Sequence, residues 1–146
     1  MENRFENFTI LIIQLSKMIQ KIKNAEMKEF GLKAVHVMCI YFLSQNPAGL
    51  TNAEITKLTF EDKAAISRAL LLLKKKGYVS CDEKTYNCKV LLTKEGNEFA
   101  KIIEEKAHAA VEAGSKGLPL EEKESFYAQL SLIAKNLKQY YDELLD

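Results

Sequence analysis

The sequence has no tryptophan, two prolines and only three cysteines in 146 residues. So few cysteines, and an odd number of them, argue against the disulfide framework of a small secreted domain. The longest apolar runs, such as Ile10–Ile13 and Val37–Leu43, are far too short to cross a bilayer. The first residues also lack the basic, apolar and cleavage-site segments of a signal peptide. We therefore expect a cytoplasmic protein with no membrane partner.

The composition is that of one globular domain, with 47% hydrophobic and 28% charged residues. The formal net charge is only +1, but the charges are unevenly distributed along the chain. Residues 49–96 carry nine basic and six acidic groups, a net +3, whereas residues 97–146 carry six basic and ten acidic groups, a net −4. A basic middle segment beside an acidic tail indicates that the middle segment faces a polyanion.

Both ends of the chain predict long helices that each carry one apolar seam. The seam positions alternate in steps of three and four residues, as one face of a helix requires. They are Phe5, Phe8, Ile12, Leu15, Ile19 and Ile22 at the first end, and Phe126, Leu130, Ile133, Leu137, Tyr140 and Leu144 at the other. An intramolecular bundle would account for these seams, but they exceed what a small lobe needs to cover itself. We therefore favour a homodimer in which both ends pack against a partner.

The segment between these ends begins with short helices. Gly31 ends the first helical region, and Leu32–Gln45 predicts a second helix with Val35, Cys39 and Phe42 on one face. After a turn at 46–49, Thr51 and Glu54 form a capping box that starts a helix reaching about Leu58. Asp62 is the predicted N-cap of the next helix, which continues to Lys76 and ends at Gly77.

The periodicity then changes from helix to strand. Tyr78–Cys81 and Lys89–Thr93 predict two antiparallel strands around a polar tip. A long helix follows from Thr93 towards Gly114, and the last helix covers Leu120–Leu145. Helix, tight break, helix and hairpin within residues 51–93 have the order and lengths of a winged helix-turn-helix. The predicted fold class is mainly α with a small β-hairpin wing and long N- and C-terminal dimerisation helices.

Over nearly its whole length the sequence resembles the MarR (multiple antibiotic resistance regulator) family of bacterial transcription factors. Four stretches carry the resemblance, and no single one is specific. They are Gly49–Thr51 with Glu54–Ile55, Asp62–Arg68, Leu73–Val79 and Val90–Gly96. The resemblance implies an obligate homodimer that binds a pseudo-palindromic operator on double-stranded DNA, often released by a small ligand or by oxidation. It divides the chain into a DNA-binding lobe, 49–96, and a helical dimerisation lobe, 1–48 with 97–146.

The helix that begins after Asp62 is the predicted recognition helix. Its helical spacing directs Lys63, Ala64, Ser67 and Arg68 towards a major groove, while Ile66, Leu70 and Leu73 face the core. Arginine suits this place because its planar fork binds guanine O6 and N7 or clamps a phosphate. Ser67 can donate to a phosphate or to a base edge. We interpret Asp62 as a helix cap rather than a DNA contact.

The wing departs from the family pattern. The family's usual wing aspartate falls on Lys84, and its usual tip arginine falls on Tyr86. The predicted wing contacts are therefore Lys84, Thr85 and Lys89. Lysine can neutralise a phosphate but reads the width of a minor groove less well than arginine does. Minor-groove insertion is thus an open question, and the wing could contact only the backbone of the DNA.

Two of the cysteines flank the tip of the hairpin. A hairpin that is symmetric about its tip places Cys81 opposite Cys88, close enough for a thiol switch. However, Val79 and Val90 then share a face with them, and we interpret both cysteines as small apolar residues on the inner face of the wing. The third cysteine, Cys39, is predicted to lie in the core.

The sequence shows no nucleophile–base pair, phosphate-binding loop or paired-carboxylate motif, so we expect no catalytic residues and no enzyme. His36 and Cys39 stand at helical spacing, but no carboxylate cluster joins them, and neither a metal site nor a cofactor is predicted. If the protein responds to an effector, the family resemblance places the effector between the helical and winged lobes, where the second helix would supply His36 and Tyr41.

These features predict a sequence-specific regulator of transcription, more often a repressor in this family, that is modulated by a small ligand or signal. The alternative is a winged-helix module whose exposed helix docks on another protein. The basic excess in residues 49–96 and Arg68 favour DNA. Lys84 and Tyr86 in the wing, and the apolar pair Leu71 and Leu72 in the recognition helix, favour the alternative.

Overall fold

The computed structural model describes residues 3–81 and 87–146 and divides the chain into two compact units, one up to Lys106 and one from Ala107 onwards. Its helices and strands confirm the predicted fold class. They are α1 (Arg4–Met27), α2 (Ala34–Gln45), α3 (Asn52–Thr59), α4 (Lys63–Lys75), β1 (Val79–Ser80), β2 (Leu91–Leu92), α5 (Lys94–Gly114) and α6 (Leu120–Leu144). A single 3-10 turn, Lys28–Phe30, connects α1 to α2 in the described chain.

Helix α2 is the centre of the first unit and packs against α1, α3, α4 and β2. A helix with neighbours on several sides buries more than one face, which is why its sequence is nearly all apolar. The prediction of one buried face through Val35, Cys39 and Phe42 is therefore only partly right. Cys39 is fully buried, but Val35 and Phe42 are only partly buried. The remaining buried positions of α2 are His36, Val37, Ile40 and Leu43.

The helix-turn-helix is fixed by two helix caps, both of which were predicted. The Thr51 hydroxyl accepts from the Glu54 N–H at 3.2 Å, and the Glu54 carboxylate accepts from the Thr51 N–H at 3.0 Å. At the next helix, an Asp62 carboxylate oxygen accepts from the Ala65 N–H at 2.6 Å. These bonds satisfy N–H groups that have no partner within the helix. They fix where α3 and α4 begin, and so set the tight turn between them.

In the wing the predicted faces of the two strands are correct, but the predicted register is wrong. Val79 pairs with Leu92, and Ser80 with Leu91, so the register is shifted by two residues from a hairpin symmetric about its tip. Because side chains alternate with a period of two, this shift leaves every residue on its predicted face. Val79 and Val90 are accordingly buried. The strands are shorter than predicted, and Val90 exchanges backbone hydrogen bonds with Leu50.

Helix α5 starts against the winged helix through a close backbone contact. A Cβ added at Gly96 would overlap the carbonyl oxygen of Tyr78, so only glycine fits at this position. One turn later, Phe99 stacks on the Tyr78 ring with centroids 4.7 Å apart and meets Phe30 edge-to-face at 4.9 Å. These contacts anchor the first half of α5 to the core.

The second unit contains the end of α5 and all of α6, joined by a turn in which Gly117 has a φ of +91°. Many large apolar side chains of α6 are exposed in the single chain. They include Phe126, Ile133, Leu137, Tyr140 and Leu144. Within residues 3–81 and 87–146, no helix combines the length and apolar character needed to cross a membrane.

Candidate nucleic-acid interface

Helix α4 has one buried face and one exposed face, as its sequence predicts. Ile66 and Leu73 are fully enclosed by the core, and Leu70 is buried beside them. The opposite face consists of the exposed side chains Lys63, Ala64, Ser67, Arg68, Leu71, Lys74 and Lys75. All four recognition-helix residues predicted to contact DNA therefore lie on one continuous exposed surface, which we call the α4 face.

The α4 face carries several cations. Arg68 is exposed, and no carboxylate among the described residues pairs with it. Asp62, the nearest acid in sequence at the start of the helix, accepts the Ala65 N–H and acts as a cap, as predicted. An exposed guanidinium without a protein partner can form a bidentate contact with a base edge or a phosphate.

Ser67 is linked across the helix-turn-helix to the first residue of α3. The Asn52 Nδ2 amide donates to Ser67 Oγ at 2.9 Å, and the Thr56 hydroxyl donates to Asn52 Oδ1 at 3.2 Å. Asn52 and Thr56 are half-buried, whereas Ser67 is exposed. No local pattern predicts this link, because Asn52 and Ser67 are 15 positions apart and meet only in the folded chain.

The two leucines that depart from a polar pattern on α4 lie in different environments. Leu72 is partly buried and packs against the core, so it is a structural residue. Leu71 is 70% exposed and lies on the α4 face between Ser67 and Lys75. Phe60, in the turn before α4, is 91% exposed and has a φ of +58°, a left-handed conformation unusual for a residue with a bulky side chain. Nothing in the described part of the chain explains either exposed apolar residue.

Of the predicted wing contacts, Lys84 and Thr85 lie outside the described residues, as does Tyr86. Lys89 is described and exposed. The chain at Lys89 and Val90 passes close to Gly49. A Cβ at Gly49 would lie 2.9 Å from the Val90 carbonyl oxygen and 3.1 Å from the Lys89 Cβ. Gly49, with a φ of +91°, thereby holds the return strand of the wing against the start of the helix-turn-helix.

The cysteines of the wing form a disulfide, Cys81–Cys88, with their Cα atoms 5.9 Å apart. The prediction of two separate small apolar residues is wrong in this respect, although Cys81 does pack against the core. In the observed register Cys88 lies diagonally across from Cys81 rather than directly opposite, and diagonal neighbours on one face of a hairpin remain within reach. The disulfide joins the two sides of the wing beyond the last strand pairing.

The proposed effector residues of α2 lie in different environments. His36 is buried, and its Nδ1 accepts the Lys33 N–H at 2.9 Å, which caps the start of α2. Burial lowers the pKa of His36, and the charges of Lys33 and Lys76 lower it further. Tyr41 is 47% exposed and packs edge-to-face on Phe42. The two side chains thus differ in environment, one structural and one accessible.

The remaining cysteine, Cys39, is buried as predicted. Burial raises the pKa of its thiol to about 12, and the negative charge of Glu61 contributes in the same direction. A thiol held protonated in this way is a poor nucleophile and a poor metal ligand. No group of three or more potential metal ligands occurs among the residues that the structure describes.

Comparison with known proteins places this geometry in a recognised fold. No protein-family model matches the chain. It is 22% identical over 131 residues to an uncharacterized HTH-type transcriptional regulator, YybA, of Bacillus subtilis (strain 168), covering 88% of this chain and 87% of that protein. It is similar to the structure of a MarR protein from Peptoclostridium difficile with a TM-score of 0.85 at 21% identity, covering 99% of this chain and 95% of the other.

A second similar structure includes a ligand. CouR from Rhodococcus jostii RHA1, solved bound to p-coumaroyl-CoA, has a TM-score of 0.75 and 17% identity and covers 87% of this chain and 91% of its own. Together these likenesses show that the chain has the fold of the MarR-family transcriptional regulators. The family resemblance of the sequence is thereby confirmed at the level of the fold.

Proposed function

We propose that the protein is a sequence-specific, double-stranded DNA-binding regulator of transcription that acts as a homodimer on a pseudo-palindromic operator, most simply as a repressor. The α4 face carries this proposal. It combines the exposed fork of Arg68, the exposed hydroxyl of Ser67 and several exposed lysines on the second helix of a capped helix-turn-helix. Such a helix supplies donors to base edges and cations to phosphates. Lys89, on the exposed side of the wing, adds a cation nearby, and Lys84 and Thr85 remain proposed contacts from the sequence.

The proposal of a homodimer is supported by the apolar surface of α1. Leucine, isoleucine and methionine side chains between residues 10 and 22 are exposed on this helix in the single chain. Together they form a larger apolar patch than a soluble monomer usually exposes to water. The exposed ones are Ile10, Leu11, Ile12, Ile13, Leu15, Met18, Ile19 and Ile22. Two-fold symmetry of such a dimer would present two α4 helices to two half-sites about one turn of DNA apart.

Modulation by a small ligand is a further part of the proposal. CouR, a protein of the same fold, binds p-coumaroyl-CoA in its structure, so the fold can hold an organic ligand. In this chain α1 and α2 offer the half-buried Lys23, whose ammonium group donates to the Met38 sulfur at 3.6 Å, and the accessible phenol of Tyr41. Burial lowers the pKa of Lys23, although Glu26 opposes this effect. We keep His36 and Tyr41 as the candidate effector residues.

The function is tested by selecting duplexes from a random-sequence DNA library with the full-length protein. Fluorescence anisotropy then measures affinity for the selected duplex and for a scrambled duplex across a salt series. We expect tighter binding to the selected duplex and a steep loss of affinity with salt, because phosphate neutralisation releases counterions. A duplex lengthened at its centre by half a helical turn should lose this affinity, since the two half-sites would then face opposite sides of the DNA.

A protein-docking module is the second candidate, and it is favoured by the exposed Leu71 and Phe60, which are apolar where a phosphate-facing surface is polar. A module of this kind would enrich no duplex from the library. Its residual binding to DNA would be the same for any two unrelated sequences. The selection from the library therefore decides between the two functions.

A further inference from the structure

We propose that Asn52 is a positioning residue that orients the Ser67 hydroxyl, so that Ser67 presents its proton to the operator. The inference rests on the proposed DNA-binding function and assigns a chemical role to one position of the α4 face. Its ligand is a hydrogen-bond acceptor on the duplex. That acceptor is either a base-edge atom in the major groove or a phosphate oxygen beside it.

The geometry of three side chains carries the inference. Asn52 directs its Nδ2 amide to Ser67 Oγ at 2.9 Å, while its Oδ1 accepts from the Thr56 hydroxyl at 3.2 Å. Asn52 is the first residue of α3 and Thr56 lies one turn later, so both belong to a helix held by the Thr51–Glu54 capping box. The amide group is therefore held at its Oδ1 end by Thr56 of the same helix, which directs its Nδ2 end towards Ser67 on α4.

The consequence for Ser67 follows from the hydrogen-bonding capacity of a hydroxyl group. A serine hydroxyl has one proton to donate and two lone pairs that accept. With one lone pair turned towards Asn52, the proton points away from α3. Among the described residues no group of the protein accepts this proton, and the side chain is exposed on the α4 face. Ser67 is thus left as a donor directed at whatever α4 contacts.

A donor at this position discriminates between bases. In the major groove a lone donor suits the acceptors of guanine (N7 and O6), adenine (N7) and thymine (O4), and it is rejected by the cytosine amino group. If the hydroxyl could also turn its lone pair outward, it would accept from cytosine or adenine and discriminate poorly. Because the Asn52 Nδ2 amide occupies one lone pair of Ser67 and accepts nothing, it favours the outward-pointing proton. In this way a residue that need not touch a base influences which base is preferred.

The test compares four proteins on the duplex selected by the wild type: wild type, Asn52→Asp, Ser67→Ala and the double variant. Aspartate has the shape of asparagine but can only accept, so it would draw the Ser67 proton towards itself. We expect Ser67→Ala to weaken binding about three- to tenfold, the effect of one hydrogen bond. In the presence of Ser67, Asn52→Asp should weaken binding at least about threefold more than it does in the Ser67→Ala background.

The Ser67→Ala background is the matched control for charge. There the added carboxylate repels phosphate as before but has no hydroxyl to reorient, so the difference between backgrounds isolates the orienting effect. Thermal unfolding of all four proteins without DNA shows whether a variant has merely lost stability, because such a loss would lower its melting temperature. Two sets of modified duplexes identify the acceptor: 7-deazapurine substitution removes N7, and methylphosphonate substitution removes a phosphate charge.

The outcomes separate the two levels of the proposal. Equal factors for Asn52→Asp in both backgrounds would show that Asn52 does not orient Ser67, and would overturn the inference while leaving the proposed function intact. If the wild type enriches no duplex at all, the proposed function fails, and the inference fails with it. A coupled loss on the selected duplex, relieved by one class of modified duplex, supports the inference and names the acceptor.

Discussion

The cations of the α4 face differ in what they can recognise. Arg68 is exposed without a carboxylate partner in the described chain, and its planar guanidinium can hold two acceptors of one guanine at once. Lys75 is an exposed ammonium in the last turn of the same helix, where it complements the negative end of the helix dipole. One residue has the geometry to read a base, whereas the other supplies charge.

Replacing Arg68 by alanine should therefore reduce sequence preference. We expect a loss of roughly 1–3 kcal/mol in the preference for the selected duplex over the scrambled one, as for a bidentate base contact. Lys75→Ala is the matched control on the same helix. It should weaken binding to both duplexes about equally, and it should lower the dependence of log K on log salt concentration by about the contribution of one phosphate contact. Anisotropy titrations measure both effects. Equal losses on the two duplexes for Arg68→Ala would make Arg68 a phosphate contact instead.

What the sequence could predict at this scale depended on whether the information was local. The exposed positions of α4 follow from helical spacing, and the cap at Asp62 follows from residue type and position, so both were predicted correctly. The link between Asn52 and Ser67 joins two helices and was not predictable from either one. The roles of Leu71 and Leu72 also separated only in the fold, because burial on a helix flank depends on its neighbours.

Among the elements, the wing shows how a disulfide can replace strand pairing. Among the described residues of the wing two on each side pair as strands, and the Cys81–Cys88 bond closes the hairpin beyond them. The hydrophobic pattern fixed the faces of this hairpin but not its register, because a shift of two residues changes no face. The register followed from a tertiary contact, the pairing of Leu50 with Val90, which no local pattern encodes.

The disulfide makes a prediction about the reactivity and stability of the purified protein. Under denaturing conditions without reductant, an alkylating agent should label one cysteine, Cys39, and after reduction it should label all three. Native Cys39 should react slowly, because burial raises the pKa of its thiol to about 12. Replacing Cys81 and Cys88 together by serine should lower the free energy of unfolding by about 2–3 kcal/mol, mainly through the loop freed in the unfolded chain.

Peptide mapping by mass spectrometry and denaturant unfolding check these expectations. Reductant should destabilise the wild type but leave the Cys81→Ser/Cys88→Ser variant unchanged, which makes that variant the control for side effects of the reductant. Three labelled cysteines in the unreduced, freshly denatured protein would show that the wing is held without a disulfide.

The start of α5 makes a second prediction at the scale of elements. Gly96→Ala should destabilise the fold by roughly 1–3 kcal/mol, because its Cβ meets the backbone carbonyl of Tyr78, which cannot move aside as a flexible side chain would. Gly114→Ala is the matched control in the same helix. A Cβ there meets nothing within 4 Å, and alanine favours helix by up to about 1 kcal/mol. Urea unfolding curves should separate the two variants, and equal midpoints would contradict the close contact.

At the scale of the whole molecule, the largest unexplained feature is the apolar surface of its terminal helices. The seams of α1 and α6 were predicted from spacing alone, and most of their side chains are exposed in the single chain. Phe8 and Leu130 are partly buried, and the Phe5 side chain lies outside the described part. An exposed apolar stripe of this length in a single chain indicates an interface, since water-facing helices are polar on that side. The sequence could predict the stripe but not which of its residues a partner covers.

A homodimer formed through these helices should dissociate when charge is placed on either seam. Ile19 on α1 is 49% exposed and Leu137 on α6 is also exposed, so neither Ile19→Asp nor Leu137→Asp should unfold the single chain. In a dimer each aspartate would be buried without a partner, at a cost of several kcal/mol, and monomers should appear in sedimentation velocity at micromolar concentration. Gln14→Asp, at an exposed polar position of α1, is the control for added charge and should remain dimeric.

Because one chain offers one α4 face, the monomeric variants should also lose the high-affinity binding that depends on half-site spacing while keeping weak, salt-dependent binding to any duplex. Unchanged dimers in both seam variants would place the interface elsewhere on the chain.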